Sequence, residues 1–316
     1  MSNTKFLVTG GAGFIGSNIV EELLKRGHFV RVLDNFATGK RENLKEFEKD
    51  IEFLEGDIRS YHIVRQAVKD IEVILHQAAL PSVPRSINDP ITTNEVNVMG
   101  TLNILDASKD AGVRRIVYAS SSSVYGDNPI LPKREDMLPN PLSPYAVSKL
   151  AGEKYCNVFS RLYGMETVTL RYFNVFGPKQ DPNSQYSAVI PKFIEAIKAD
   201  KQPIIYGDGT QSRDFTYVAN VVEANILAAT KDIGNGLVMN CACHGQITLN
   251  ELVIQINNLL GKEMETIYAK SREGDIKHSF ADIKLIKEKL NYIPKISFEL
   301  GLKKTIEFFT NGKIKL

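Results

Sequence analysis

The stretch KFLVTGGAGFIGSNIVEELLKRG, residues 5–27, limits what this chain can fold into more than any other. Lys5 to Gly10 is a short apolar run that ends in glycine. Phe14, Ile15, Ile19, Val20, Leu23 and Leu24 then recur at helical spacing until Gly27 stops them. A strand turning through glycines straight into a helix is a geometry that binds a dinucleotide pyrophosphate. Glycine permits the tight bend and close backbone approach, and the helix amino terminus offers unpaired N–H groups to phosphate. The glycines read as Gly10-x-x-Gly13-x-x-Gly16 or as Gly11-x-Gly13-x-x-Gly16. Their spacing carries meaning only in this strand–turn–helix context.

HFVRVLD reads as a second strand, and Asp34 closes it eighteen residues beyond Gly16, with Asn35 following. An acid there accepts both hydroxyls of an adenosine ribose and repels a 2′-phosphate, which favours NAD over NADP. Lys40 and Arg41 follow on a loop, where solvated charges are the ordinary reading. IEFLEGD delivers Asp57 and Ile58 at the end of a third strand, and EVILHQAAL delivers Gln77, Ala78 and Ala79 at the end of a fourth. Small residues there suit either close approach to a flat cofactor or ordinary tight packing. TTNEVNVMGTLNILDASKDAG predicts one helix with Asn97 inside its apolar stripe. A buried amide needs partners, so Asn97 is either a structural tie or a positioning group for the active-site loop. RRIVYAS is a fifth strand running into a serine cluster. Strands alternating with helices predict a parallel, doubly wound sheet, with every named turn at its ligand-binding carboxyl edge.

Past that edge, LSPYAVSKLAGEK places Tyr145 and Lys149 four residues apart on one face of a helix. A neighbouring ammonium favours a phenolate, so Tyr145 is a candidate base.

The chain of 316 residues has room for one large α/β domain or two intimate ones. A formal net charge of +2 without a basic block points neither to nucleic acid nor to an anionic membrane. No apolar run reaches the ~18 residues of a membrane span, and the first ten residues do not resemble a signal peptide. Cys156, Cys241 and Cys243 show neither a disulfide framework nor zinc-ligand spacing, so free thiols in a reducing cytoplasm are expected. No metal site is expected.

The motifs TGGAGFIG, LDNF, GDIR, HQAA, SSSSVYG, SPYAVSK, LRYFNVFGP, SRDFTYV and REGD follow one another in this order. In that register the chain resembles the nucleotide-sugar 4-epimerases of the extended short-chain dehydrogenase/reductases, most closely bacterial UDP-N-acetylglucosamine 4-epimerases. The resemblance implies a Rossmann-type doubly wound parallel sheet with a smaller α/β substrate-binding lid. It implies a cofactor domain over 1–172, to which 214–243 return, and a UDP-sugar domain over 173–213 and 244–316. It also implies a tightly held NAD reduced and reoxidised within each turnover. Tyr145 would take the proton of the 4-hydroxyl and Ser121 would hydrogen-bond O4. Lys149 would hold the nicotinamide ribose and depress the tyrosine pKa. Gly10, Gly13, Phe14, Ile15, Gly16, Asp34, Asn35, Asp57, Ile58, Gln77, Ala78, Ala79 and Asn97 would complete the cofactor site.

On the substrate side the resemblance implies Asn174, Arg213 and Arg272 for the diphosphate, Asp275 for the uridine ribose, and Ala188 and Val189 near the uracil. Tyr206 joins the substrate residues, and Ser122, Gln180 and Ala188 surround the 2-acetamido group. Ser279, small where hexose-specific relatives carry Tyr, leaves room for that group. Related dehydratases carry Asp-Glu after their catalytic hydroxyl, and decarboxylases carry Glu at the second position. Ser122 and Ser123 stand there in this chain, which favours epimerisation. Pro81 departs from the Gly of the N-acetyl-specific enzymes, and Arg85 could meet the carboxylate of a uronic-acid sugar. A homodimer is implied, through helices around 90–110 and 144–164.

Overall fold

The computed structural model describes residues 4–182, 189–271 and 277–311. The first six strands are β1 (Lys5–Thr9), β2 (Phe29–Asp34), β3 (Glu52–Glu55), β4 (Val73–His76), β5 (Arg115–Ser121) and β6 (Glu166–Tyr172). Short strands β7 (Val175–Phe176), β8 (Ile204–Tyr206), β9 (Ser212–Arg213) and β10 (Thr216–Tyr217) precede β11 (Leu237–Cys241). Strands β12 (Ile247–Thr248) and β13 (Ile267–Ala269) complete the set among the described residues.

Seven strands form one sheet in the order β11-β6-β5-β4-β1-β2-β3, and every pairing in it is parallel. Phe6, Leu7 and Val8 of β1 are fully buried, as expected of a strand covered on both faces. The chain winds outward from β1 to β3, then crosses to β4 and continues through β5, β6 and β11. The reversal between β1 and β4 is the switch point at which such sheets bind ligands.

The helices are α1 (Phe14–Lys25), α2 (Tyr61–Val68), α3 (Val83–Asn88), α4 (Pro90–Asn94), α5 (Gly100–Ala111) and α6 (Pro144–Tyr163). They continue with α7 (Val189–Lys198), α8 (Val218–Thr230), α9 (Leu249–Leu260), α10 (Lys284–Leu290) and α11 (Phe298–Phe309). The expected helix around Asn97 is present as one continuous run, α4 and α5 joined through a π-helical turn over Glu95–Met99. Asn97 is the buried residue of that turn.

Asn174, at φ 35°, lies between β6 and β7, and β7 pairs with β10. Helix α8 and strand β11 then return to the main sheet, β11 pairing with β6. Helices α7, α9 and α11 pack on one another, and the pairs β13–β8 and β12–β9 belong to this smaller assembly. Among the described residues no helix is long and apolar enough to cross a membrane, and no cluster of His, Cys, Asp or Glu is arranged to hold a metal ion.

Candidate active site

The glycine turn leaves β1 at Gly10, whose φ of 69° suits a residue without a side chain. A Cβ at Gly10 would lie 2.7 Å from the Ala78 nitrogen, and one at Gly16 would lie 2.1 Å from the Gly10 carbonyl oxygen. Backbone on backbone therefore forms this cradle, which fits a dinucleotide at the start of α1. A cavity of about 620 Å³ runs along the carboxyl edge from it. Its walls include Gly10, Gly13, Phe14, Ile15 and Gly16 from the turn, Asp34 and Asn35 after β2, and Asp57 and Ile58 after β3. Gln77, Ala78 and Ala79 after β4, with Tyr145 and Lys149 of α6, line its other end. Of the residues expected around the cofactor, Asn97 alone is not in the wall.

Asp34 accepts from the Ala12 and Phe36 amides at 2.9 and 2.8 Å. Burial pushes its carboxyl above the ordinary value, and these amide bonds oppose the shift. Lys40 pairs with Asp181, and Arg41 pairs with Glu55 while lying over the Phe36 ring. The two cations that follow Asp34 are thus engaged by carboxylates. Asp57 is held below the usual carboxylate range, chiefly by Arg59, and accepts from the Asn35 amide at 2.9 Å.

Asn97 is buried behind the wall and makes three bonds. Its oxygen accepts from Leu80 N at 2.7 Å, and its amide donates to Leu80 O at 3.2 Å and to Ser148 Oγ at 3.0 Å. It ties the Leu80 loop to the helix of Tyr145. Beside it runs an ordered polar chain that no spaced motif signals. Ala78 N donates to Thr9 Oγ, which lies 2.7 Å from His76 Nδ1. His76 Nε2 lies 3.0 Å from Thr101 Oγ, whose hydroxyl donates to the Asn97 carbonyl. That direction of donation places the imidazole proton on Nε2. Burial lowers His76 to about 3, so the ring stays neutral. Gln77 is fixed from the other side by Asn225 of α8 and by Tyr172, at 3.1 Å each. A histidine and an asparagine in apolar runs are weak signals in sequence; only the fold shows that they converge beneath one loop.

Ser143 caps α6 by accepting from Ala146 N at 3.1 Å, and Pro144 occupies its first turn. Tyr145 and Lys149 therefore emerge at a defined helix start. Lys149 is buried, donates to the Ala119 carbonyl at 2.8 Å and lies 6.0 Å from the Tyr145 ring centre. Burial lowers its ammonium to about 8, partly opposed by Cys156 and Glu153. Burial raises the Tyr145 phenol above its ordinary value, and a hydrogen bond with Ser121 offsets part of this. The expected depression of Tyr145 by Lys149 is not found. Desolvation dominates, and the Lys149 ammonium donates to the Ala119 carbonyl instead. Ser121 in turn accepts from Ser123 N and from Ser123 Oγ at 3.2 and 2.9 Å, and Ser122 opens the 3-10 turn that follows.

A second cavity of about 260 Å³ contains Asn174, Val189, Tyr206 and Arg213, four of the expected substrate residues, with Phe176, Phe193 and Phe215. Asn174 donates to the Asp214 carbonyl at 3.4 Å. Ser279 lies beside this group, its amide donating to Ser212 O at 3.0 Å. Gln180 lines neither cavity and donates to the Val175 carbonyl at 3.3 Å. Ala188, Arg272 and Asp275 lie outside the described residues.

Comparison with known proteins agrees with this geometry. Residues 6–242 match the NAD dependent epimerase/dehydratase family. A putative UDP-glucose 4-epimerase of Methanocaldococcus jannaschii is 40% identical over 97% of this chain and 98% of that protein. The structure of a UDP-N-acetylglucosamine 4-epimerase from Methanobrevibacter ruminantium, in complex with UDP-N-acetylmuramic acid, superposes with a TM-score of 0.94 at 41% identity. It covers 98% of this chain and 99% of that one. A Thermus thermophilus UDP-glucose 4-epimerase in complex with NAD gives 0.89 at 38% identity, over 97% and 99% of the two chains. With a seven-stranded parallel sheet, a dinucleotide cradle at its switch point and a Tyr-Lys helix beside it, the chain belongs to the NAD-dependent epimerase/dehydratase family, among the UDP-sugar 4-epimerases of the extended short-chain dehydrogenase/reductases.

Proposed function

We propose that the chain interconverts UDP-N-acetylglucosamine and UDP-N-acetylgalactosamine by inversion at C4, and that it also accepts UDP-glucose. The observation that carries this reading is the convergence of Tyr145, Ser121 and Lys149 with two serines where acid–base chemistry would need acids. Bound NAD supplies reversible hydride acceptance from C4. Tyr145 removes the proton of the 4-hydroxyl and later returns it. Ser121 holds O4 and the phenol together. Lys149 would hold the nicotinamide ribose, and its positive charge would favour the phenolate as the 4-hydroxyl proton moves. The site would have to let the flat 4-keto sugar turn over, so that the hydride held by the cofactor could return to its other face while Tyr145 gives the proton back. Ser122 and Ser123 have no carboxyl group to drive loss of water or carbon dioxide, so the reaction stops at inversion.

Ser279 supports an N-acetylated sugar because it is small where hexose-specific relatives carry Tyr, and its amide bonds Ser212 O, next to Arg213 of the second cavity. The relative from Methanobrevibacter ruminantium, crystallised with an N-acetylated UDP-sugar, supports the same reading. Arg85 lines the first cavity and favours UDP-hexuronic acids as the second reading. Within this proposal, residues 1–172 with 214–243 form the NAD-binding domain, supported by the return of β11 to β6. Residues 173–213 and 244–316 form the UDP-sugar domain.

Purified protein should be incubated separately with UDP-GlcNAc, UDP-glucose and their uronic acids, with products resolved by NMR. The expected result is UDP-GalNAc at equilibrium without added cofactor and without NADH release at 340 nm. Turnover confined to uronic acids would overturn the substrate assignment. Tyr145→Phe should lower kcat by about 10²–10⁴-fold, the weight of a general base, and near-normal turnover would refute the mechanism. Ser279→Tyr should impair UDP-GlcNAc while sparing UDP-glucose; equal loss on both would remove Ser279 from the specificity argument.

A further inference from the structure

Ser120 is the member of the serine cluster that the proposed chemistry leaves unused. It lines the cofactor cavity with Lys149 and Tyr145, yet it is only 3% exposed. Its neighbour in register across the sheet is Arg171 of β6. Glu153, four residues beyond Lys149 on α6, meets both of them. Ser120 Oγ donates to Glu153 Oε1 at 2.5 Å, and Arg171 donates through Nε and Nη2 at 2.9 and 2.8 Å. The Glu153 and Arg171 side chains are 3% and 4% exposed. Arg171 also lies 4.7 Å over the Tyr125 ring, whose hydroxyl donates to Asn240. Its Nη1 has no hydrogen-bond partner.

A dry ion pair contributes little stability relative to well-packed apolar residues, because desolvation consumes most of the attraction. What this pair does accomplish is directional. A serine hydroxyl can donate or accept, and rotates to suit. A carboxylate held by a guanidinium fork can only accept. The Ser120 proton is therefore committed to Glu153, and the oxygen keeps its lone pairs for the cavity. Arg171 fixes the carboxylate in the plane that makes this so.

We propose that Ser120 is a positioning residue for the bound NAD: its hydroxyl, fixed as an acceptor by the Glu153–Arg171 pair, receives a hydrogen bond from an N–H or O–H donor of the dinucleotide next to Lys149. The inference rests on the family's use of NAD. It separates Ser120 from Ser121, whose hydroxyl faces the Tyr145 phenol.

The test compares wild type with Ser120→Ala and with the double variant Glu153→Leu/Arg171→Met. The NAD retained per chain after gel filtration, the NAD dissociation constant by calorimetry of stripped protein, and the thermal midpoint are measured for each. Ser120→Ala should weaken NAD binding about tenfold, the weight of one lost hydrogen bond. Its midpoint in the stripped state should match wild type, because Glu153 keeps both bonds to Arg171. The double variant, which frees the Ser120 hydroxyl to rotate, should also bind NAD several-fold more weakly. Ser120→Thr, which keeps the hydroxyl, should restore NAD binding relative to Ser120→Ala. Ser120→Ala with wild-type NAD affinity would overturn the inference. Wild-type affinity in a folded double variant would remove the ion pair from it. If the double variant does not fold, Ser120→Ala still decides. Wild-type protein that binds no NAD would instead overturn the cofactor reading itself.

Discussion

Asp214 is fully buried, and its hydrogen-bond partners among the described residues are backbone amides. Its oxygens accept from Cys243 N and Ala281 N at 3.2 Å each, joining the loop after β11 to the segment before α10. Burial raises its carboxyl to about 6, with backbone amides opposing the shift. A carboxyl raised on folding binds its proton more tightly in the folded chain than in the unfolded one. Its stabilising contribution is therefore fullest below the ordinary carboxylate range and is lost as pH rises through about 6. A displacement of about two units corresponds to roughly 3 kcal/mol. Asp214→Asn is uncharged throughout. Urea unfolding at pH 4.5 and pH 7 should show wild type losing stability relative to the variant as pH rises. Parallel pH dependences would remove Asp214 as the cause. At this scale the sequence was legible wherever a residue sat in a spaced motif, as Gly10, Asp34, Tyr145 and Lys149 do. Ser120, His76 and Glu153 were not, because their roles depend on neighbours brought together across strands β4, β5 and β6. The missing depression of Tyr145 has the same origin, since spacing shows which groups are close and not how deeply they are buried.

Helix α6 is the element on which the chemistry depends, and its first turn is fixed by a single cap. Ser143 accepts from Ala146 N, and Tyr145 follows two residues later. Removing a serine cap costs about 1 kcal/mol, and fraying of that turn moves the phenol away from Ser121. Ser143→Ala should lower the thermal midpoint by a few degrees and kcat several-fold, with Ser143→Asp restoring both. Lost stability with unchanged kcat would show that Tyr145 is positioned without the cap. The Tyr145–Lys149 spacing alone predicts the helix; its Ser143 cap and Gly164 stop are local signals that this expectation does not use. The π-helical turn at Glu95–Met99 has no such local signal. Its apolar residues keep near-helical spacing, and the cause of the extra residue is tertiary: Asn97 must reach both Leu80 and Ser148. The strands β7, β9, β10 and β12, of two residues each, are likewise too short for any periodicity to announce.

At the scale of the molecule, β6 connects the two cavities: Tyr172 lines the first, and Asn174, just past the turn, lines the second. The outward side of α6 carries exposed apolar residues among its charges. Val147, Val158 and Leu162 are exposed along it, at 52%, 45% and 68%. Positions 147, 158 and 162 fall on one helical stripe. Ile87 and Ile91, on the α3 and α4 helices that pack against α6, are 61% and 72% exposed. We propose that a second copy of the chain covers this face, joining paired helices from each copy into a four-helix contact. Burying an exposed Leu or Ile contributes roughly 1.5–3 kcal/mol, and in a twofold contact each residue counts twice. Light scattering after size exclusion should give a dimer for wild type. Ile91→Glu/Leu162→Glu should give a monomer that keeps its circular dichroism and its NAD, since neither residue lines the cofactor cavity. A monomeric wild type at micromolar concentration, or a double variant that stays dimeric, would show that this face serves something other than self-association.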